Sequence, residues 1–114
     1  MQGHNSQPIK EDDIHKVVAF LHEYPRLIEE AKTAAEKAEL HAELILSHLT
    51  LRAEGKSHNE REMRAKVQPE YKAAKEEEIV SRSREIGIKA QYTANELLAS
   101  LYQTQSANMR STKV

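Results

Sequence analysis

Arg52-Ala53-Glu54-Gly55-Lys56-Ser57-His58-Asn59-Glu60 carries a helix stop and a helix start within a few residues. Gly55 sits where a C-terminal glycine cap belongs, because glycine enters the left-handed region without steric cost. Ser57-x-x-Glu60 then reads as a capping box. In that motif the serine hydroxyl accepts from the Glu60 amide, and the Glu60 carboxylate returns to the Ser57 amide. A stop, a short turn and a start imply flanking helices that double back as an αα-hairpin.

Upstream of this turn, Leu27, Ala31, Ala34, Ala38, Ala42, Ile45 and Leu49 step by three or four, the mark of a helical seam. Its first half is rich in alanine, so a partner backbone can approach closely there. Pro25 sits just before it and disfavours helical backbone at Tyr24, which predicts a kink or a new helix there, the segment running over about 25–53. A separate short helix is expected over about 10–23. Asp12 and Asp13 suit its positive first turn, and Ile14, Val17, Val18 and Leu21 form one apolar stripe.

Downstream, a long helix is expected over about 58–109. Ile79, Ser83, Ile86, Ala90, Ala94, Leu97 and Leu101 mark a seam on it. An earlier stripe of Met63, Val67, Tyr71 and Ala74 is offset from that seam by roughly 120° at about 100° per residue. The skip falls across Glu76-Glu77-Glu78, just after Pro69. Either the helix bends or restarts near Pro69, or its two halves face different partners. Gly87 weakens the helix locally or permits close packing. Residues 1–9 read as a flexible tail and 111–114 as a frayed one, leaving a single helical domain over 10–110.

Composition agrees with this reading. The chain has 114 residues, the size of one small domain. Aromatic residues are 4%, too little bulk for a thick layered core, and Gly and Pro number three each, too few for the turns of a sandwich or barrel. The expected class is all-α: a short N-terminal helix plus a long antiparallel helical hairpin, coiled-coil-like. A lone hairpin of this kind leaves apolar surface exposed, so self-association into a homodimer or larger bundle is expected. Its seam would comprise Leu27, Ala31, Ala38, Ala42, Ile45 and Leu49 with Ile79, Ile86, Ala90, Leu97 and Leu101.

Several chemistries are excluded. There is no Cys, hence no disulfide, thiol catalysis or thiolate metal site. Seventeen Lys and Arg against eighteen Asp and Glu leave a formal charge of −1, with no global pull toward nucleic acid or anionic lipid. The polar first residues lack the apolar core of a signal peptide, and no apolar run approaches a membrane span, so a cytoplasmic protein without a membrane partner is expected. His15 and His22, like His41 and His48, are seven residues apart, about 10 Å along a helix and too far for one ion. Consecutive Glu76, Glu77 and Glu78 point in different directions and cannot converge. No nucleophile elbow or phosphate loop is present. Neither enzyme activity, nor a metal, nor a cofactor is expected.

One feature invites a functional reading. Arg61, Arg64, Lys72, Lys75, Arg82 and Lys89 fall within an arc of roughly 100° on an unbroken ideal helix. Such a stripe could track a phosphate backbone, with Tyr71 and Tyr92 stacking bases. Glu60, Glu78, Glu85 and Glu96 lie beside the arc and favour a solvated face instead.

The stretch from Leu51 to Arg110 resembles a group of small, mostly helical proteins encoded in bacteriophage recombination and replication gene clusters. The residues that carry the resemblance are the helix end Leu51-Arg52-Ala53-Glu54-Gly55-Lys56, the step Ala65-Lys66-Val67-Gln68-Pro69-Glu70-Tyr71, and Glu96-Leu97-Leu98-Ala99-Ser100-Leu101 running out to Met109-Arg110. The resemblance implies a small accessory factor acting near single-stranded DNA, an annealing protein or an exonuclease, and it carries over no site residue. The expectation is therefore a non-enzymatic helical interaction protein that binds itself and another protein, with a role in phage-type DNA recombination or replication. The alternatives are direct single-strand binding through the basic stripe, and inhibition of a host protein.

Overall fold

The computed structural model describes residues 9–112. Three helices and no strand occur among the described residues: α1 over Glu11–Arg52, α2 over His58–Lys66 and α3 over Pro69–Thr112. The chain is an all-α helical hairpin, with α1 and α3 antiparallel and α2 inserted after the turn. It divides into two compact units. The described parts of the first are residues 9–27 and 88–112, and the second is Ile28–Gly87. The expected tail over 1–9 lies outside the described residues except for Ile9, and of the tail expected over 111–114 only Ser111 and Thr112 are described, both in α3.

Pro25 does not end a helix. The short first helix and the seam helix are one, 42 residues long. Proline removes a single bond, the one its amide would donate to the Leu21 carbonyl, and its ring is exposed here. Flanking it, the Arg26 guanidinium donates to the Glu23 carboxylate at 2.8 Å. Packed positions on both sides, Val17 before and Ala31 after, hold the helix in register. Glu11, Asp12 and Asp13 occupy the first turn, where acidic groups complement the helix dipole.

In the first unit, Ile14 and Val17 of α1 are buried. Tyr24 stacks on Tyr92 of α3 with ring centroids 4.0 Å apart, and Phe20 tilts against Tyr24 at 6.3 Å. Near the end of the chain the Ile9 amide donates to Gln105 Oε1 at 3.1 Å. From 24–92 to 9–105 one partner descends as the other rises, which is antiparallel pairing.

The second unit has a core of alanine: Ala31, Ala35, Ala38 and Ala42 on α1, Ala65 on α2 and Ala74 on α3. Methyl-sized side chains let helices approach closely and gain dispersion contacts without bulk. Among the described residues no large side chain is fully buried. Thr50, the buried polar residue near the end of α1, satisfies its hydroxyl on the Leu46 carbonyl at 2.7 Å.

The turn differs from its expected form in two details. Gly55 is not left-handed, since none of the described glycines has a positive φ. Helix α1 ends instead through a tighter bond, the Ala53 amide to the Thr50 carbonyl at 3.3 Å. Gly55 is small because a Cβ there would meet Arg61 Cγ at 3.0 Å and Glu60 Cγ at 3.2 Å. Ser57 caps α2 by accepting from the Glu60 amide at 3.2 Å. The Glu60 carboxylate returns one residue early, accepting from the Lys56 amide at 3.2 Å.

The long second helix expected over 58–109 is two helices. Of the two readings, the restart near Pro69 is the one the structure has, with the break at Val67-Gln68. The Gln68 amide still bonds back to the Ala65 carbonyl at 3.1 Å, then Pro69 opens α3. Proline suits the first helical position and disfavours helical backbone at the residue before it.

Candidate functional site

Position along α3 determines which face each residue shows. Its covered face in the second unit carries Tyr71, Ala74, Glu78, Ser81 and Glu85, and in the first unit Ile88, Tyr92, Asn95, Ala99 and Tyr102. These positions step by three and four, the helical period, yet most are small or polar. The expected apolar seam is on the other side. Ile79, Ile86, Leu97 and Leu101 are 61%, 67%, 60% and 46% exposed, and Ser83, Ala90 and Ala94 are exposed with them.

The two halves of the expected self-association seam therefore part company. Ala31, Ala38 and Ala42 are buried within the single chain, and Leu27, Ile45 and Leu49 are half-buried. A face already covered by its own chain is closed to a second copy, which corrects the expectation for the α1 half. The α3 half is open. Val80 and Leu98 extend its apolar surface, and Leu40, Leu44 and Leu51 are exposed on α1, Leu51 at 85%. Met63 and Val67, of the earlier apolar stripe, are exposed, and Ala65 takes the buried place on α2.

The basic residues do not share one free arc. Arg61 and Arg64 are on α2, Lys72, Lys75 and Arg82 on α3 within the second unit, and Lys89 in the first unit. The break before Pro69 interrupts the helix that the arc assumed. Most of the cations are also engaged. Arg61 donates to the Gly55 carbonyl at 3.0 Å, and Arg64 pairs with Glu60 at 3.3 Å. Arg82 reaches Glu39 on α1 at 2.7 Å and Glu78 at 3.3 Å, while Lys75 donates to Glu78 at 2.9 Å. Lys72 and Lys89 are exposed, and Lys89 too has a partner.

The Glu78 carboxyl is held below its ordinary range by the Lys75 hydrogen bond, with Arg82 adding to it and burial opposing it. Lys75 is raised in turn by its bond to Glu78, and Arg82 by Glu78 and then Glu39. On α2 the Glu62 carboxyl is lowered by Lys66, with His58 a smaller contributor. A phosphate approaching Lys75 or Arg82 would compete with carboxylates already in contact. Tyr92 is half-buried against Tyr24, and its hydroxyl donates to Glu96, which raises its pKa. One face of that ring is therefore closed to a base.

Grooves on the second unit are shallow. One of about 340 Å³ runs between the end of α1 and α2, lined by Leu46, Thr50, Leu51, His58, Arg61 and Glu62. Among the described residues no three His, Asp or Glu side chains gather as a metal site, and no helix is long and apolar enough to cross a membrane. Comparison with known proteins gives no match to a family model, to a curated protein or to a solved structure.

Proposed function

We propose that the protein is a non-enzymatic interaction protein that works by contact, using the outward apolar stripe of α3 as its docking face. One observation carries the reading: α3 packs its small and polar residues inward and leaves Ile79, Ile86 and Leu97 largely exposed. Exposed apolar surface ordered along one helix face is the ordinary signature of a helix-mediated contact. The resemblance of Leu51 to Arg110 makes proteins that handle single-stranded DNA during recombination the first partners to assay. The pairing of Arg64, Lys75 and Arg82 with carboxylates weighs against direct strand binding.

The test is a comparative pull-down from source cells with wild type and with Ile86→Glu/Leu97→Glu. A protein retained by wild type, a tagged second copy of this chain included, and lost with the double variant supports the reading. Identical retention by both overturns it. Fluorescence anisotropy with a labelled single-stranded oligonucleotide at low and moderate salt runs beside it. Saturable binding that weakens steeply with salt would instead favour the basic residues, and Arg64→Glu with Lys75→Glu should then abolish it.

A further inference from the structure

Along α3, Ile79, Ser83, Ile86, Ala90, Ala94, Leu97 and Leu101 are spaced symmetrically about Ala90. Ile79 and Leu101 lie equally far from it, as do Ser83 and Leu97, and Ile86 and Ala94. All are exposed on one uninterrupted helix. We infer that this face docks a second copy of the same chain, the two α3 helices running antiparallel with the two-fold axis at Ala90. The inference rests on the docking role proposed for the stripe and names its occupant.

Shape is the reason for a second copy. In antiparallel register each large residue of one helix meets a small one of the other over the central turns. Leu97 faces Ser83 of the second copy, Ile86 faces Ala94, and the two Ala90 methyls meet at the axis. Ile79 and Leu101 then pair at both ends and close them. Val80 and Leu98 sit on the same edge of the stripe and come level across the axis. A parallel pairing would set Ser83 on Ser83 and Ala94 on Ala94, leaving gaps between layers of isoleucine and leucine. Alternation of large and small across facing positions is how two helices interdigitate. A symmetric dimer needs a self-complementary patch, and this stripe is one.

The area is also of the right order. Ile79, Val80, Ile86, Leu97, Leu98 and Leu101 are 38% to 68% exposed. Together they offer on the order of 600 Å² per copy, near the roughly 800 Å² per partner of a standard interface once the small residues are added.

The chain has no Cys, so single cysteines report register without a background. Ala90→Cys should cross-link to itself under mild oxidation, since residues at a two-fold axis bring their Cβ atoms within disulfide range. Ser83→Cys and Leu97→Cys should each link poorly alone and efficiently when mixed. Light scattering of the wild-type chain should show a dimer that Ile86→Glu weakens at least tenfold. Efficient self-linking of Ser83→Cys would mean parallel pairing and overturn the assignment. A wild-type chain that stays monomeric at high concentration overturns it too. In that case the pull-down separates the outcomes: a different protein still lost with Ile86→Glu/Leu97→Glu leaves the docking role standing and removes only the second copy.

Discussion

Replacing Ala31 with Leu distinguishes the two surfaces that α1 could use. Ala31 is 0% exposed and Ala35, one turn on, is also buried. Leucine adds three carbons where the chain leaves no room. Inserting methylenes into a packed core costs about 1–3 kcal/mol. The upper half of that range applies, because the neighbours on this face, Ala35 and Ala38, are methyls with no rotamer to change. Helix propensity contributes little, since Leu ranks close to Ala. A loss of about 2 kcal/mol lowers the melting temperature by roughly 8–12 °C in a domain of this length. The assay is urea unfolding followed by circular dichroism at two protein concentrations. The midpoint should fall with unchanged slope at both. Ala73→Leu, on the exposed side of α3, is the control and should be near neutral. If the alanine face served a second copy instead, Ala31→Leu would leave the dilute chain untouched and alter only the concentration-dependent part. An unchanged midpoint at the lower concentration refutes the reasoning.

Gly87→Ala should stabilise the fold by about 1 kcal/mol, because the added methyl meets nothing within 4 Å and glycine is a poor helix former. A fall in melting temperature would contradict this. Pro25→Ala restores a donor for the Leu21 carbonyl and should stabilise α1 by up to about 3 kcal/mol, again read by thermal unfolding. Ser57→Ala removes the cap of α2 and should cost about 1 kcal/mol, with faster amide exchange at Glu60 as the local signature. Glu78 titrates below the ordinary carboxylate value of 4.5 in the folded chain, chiefly through Lys75. Its contribution is therefore complete above that value and lost as pH falls through the lower folded-state pKa. Urea midpoints from pH 6 to pH 3 should drop less steeply for Glu78→Gln than for wild type; equal slopes would remove Glu78 as a cause.

What could be read from the sequence was local chemistry. The Ser57 cap depends on residues three apart, and the structure contains it. The return bond of Glu60 slips to Lys56 and Gly55 keeps an ordinary φ, because Arg61 folds back over Gly55 and donates to its carbonyl. A new helix does not begin at Pro25, because packing on either side of one missing hydrogen bond outweighs it. The basic arc failed for a geometric reason: it projected Arg61 to Lys89 on one cylinder, while the chain breaks at Val67-Gln68. The inward face of α3 was the hardest to see. Hydrophobicity selects the most apolar stripe, Ile79 to Leu101, whereas the face covered in the second unit mixes small residues with Tyr71, Glu78 and Glu85. The three-four spacing of Ala74, Glu78, Ser81 and Glu85 is present in the sequence, but among residues that an apolar pattern passes over.

That choice of face sets how strong the proposed self-contact can be. Six large residues of the outward stripe are 38% to 68% exposed, so covering all of the roughly 600 Å² they offer per copy would yield about 2.5 kcal/mol each at 25 cal/mol per Å². Two copies together then gain about 30 kcal/mol before costs. Loss of translational and rotational freedom takes at least 4 kcal/mol, and ordering side chains takes more. With about 0.5–1.5 kcal/mol for each of the twelve side chains and up to about 15 kcal/mol for the lost freedom, the costs come to roughly 10–30 kcal/mol, and a net of about 4–8 kcal/mol corresponds to dissociation constants from about a millimolar to a micromolar. A reversible dimer of that strength separates on a dilute sizing column, so light scattering has to reach several hundred micromolar before a monomer counts against it. Cross-linking of Ala90→Cys escapes this limit, because each encounter in the right register is trapped. The two measurements should therefore differ at low concentration, the disulfide accumulating while the unlinked chain still scatters as a monomer.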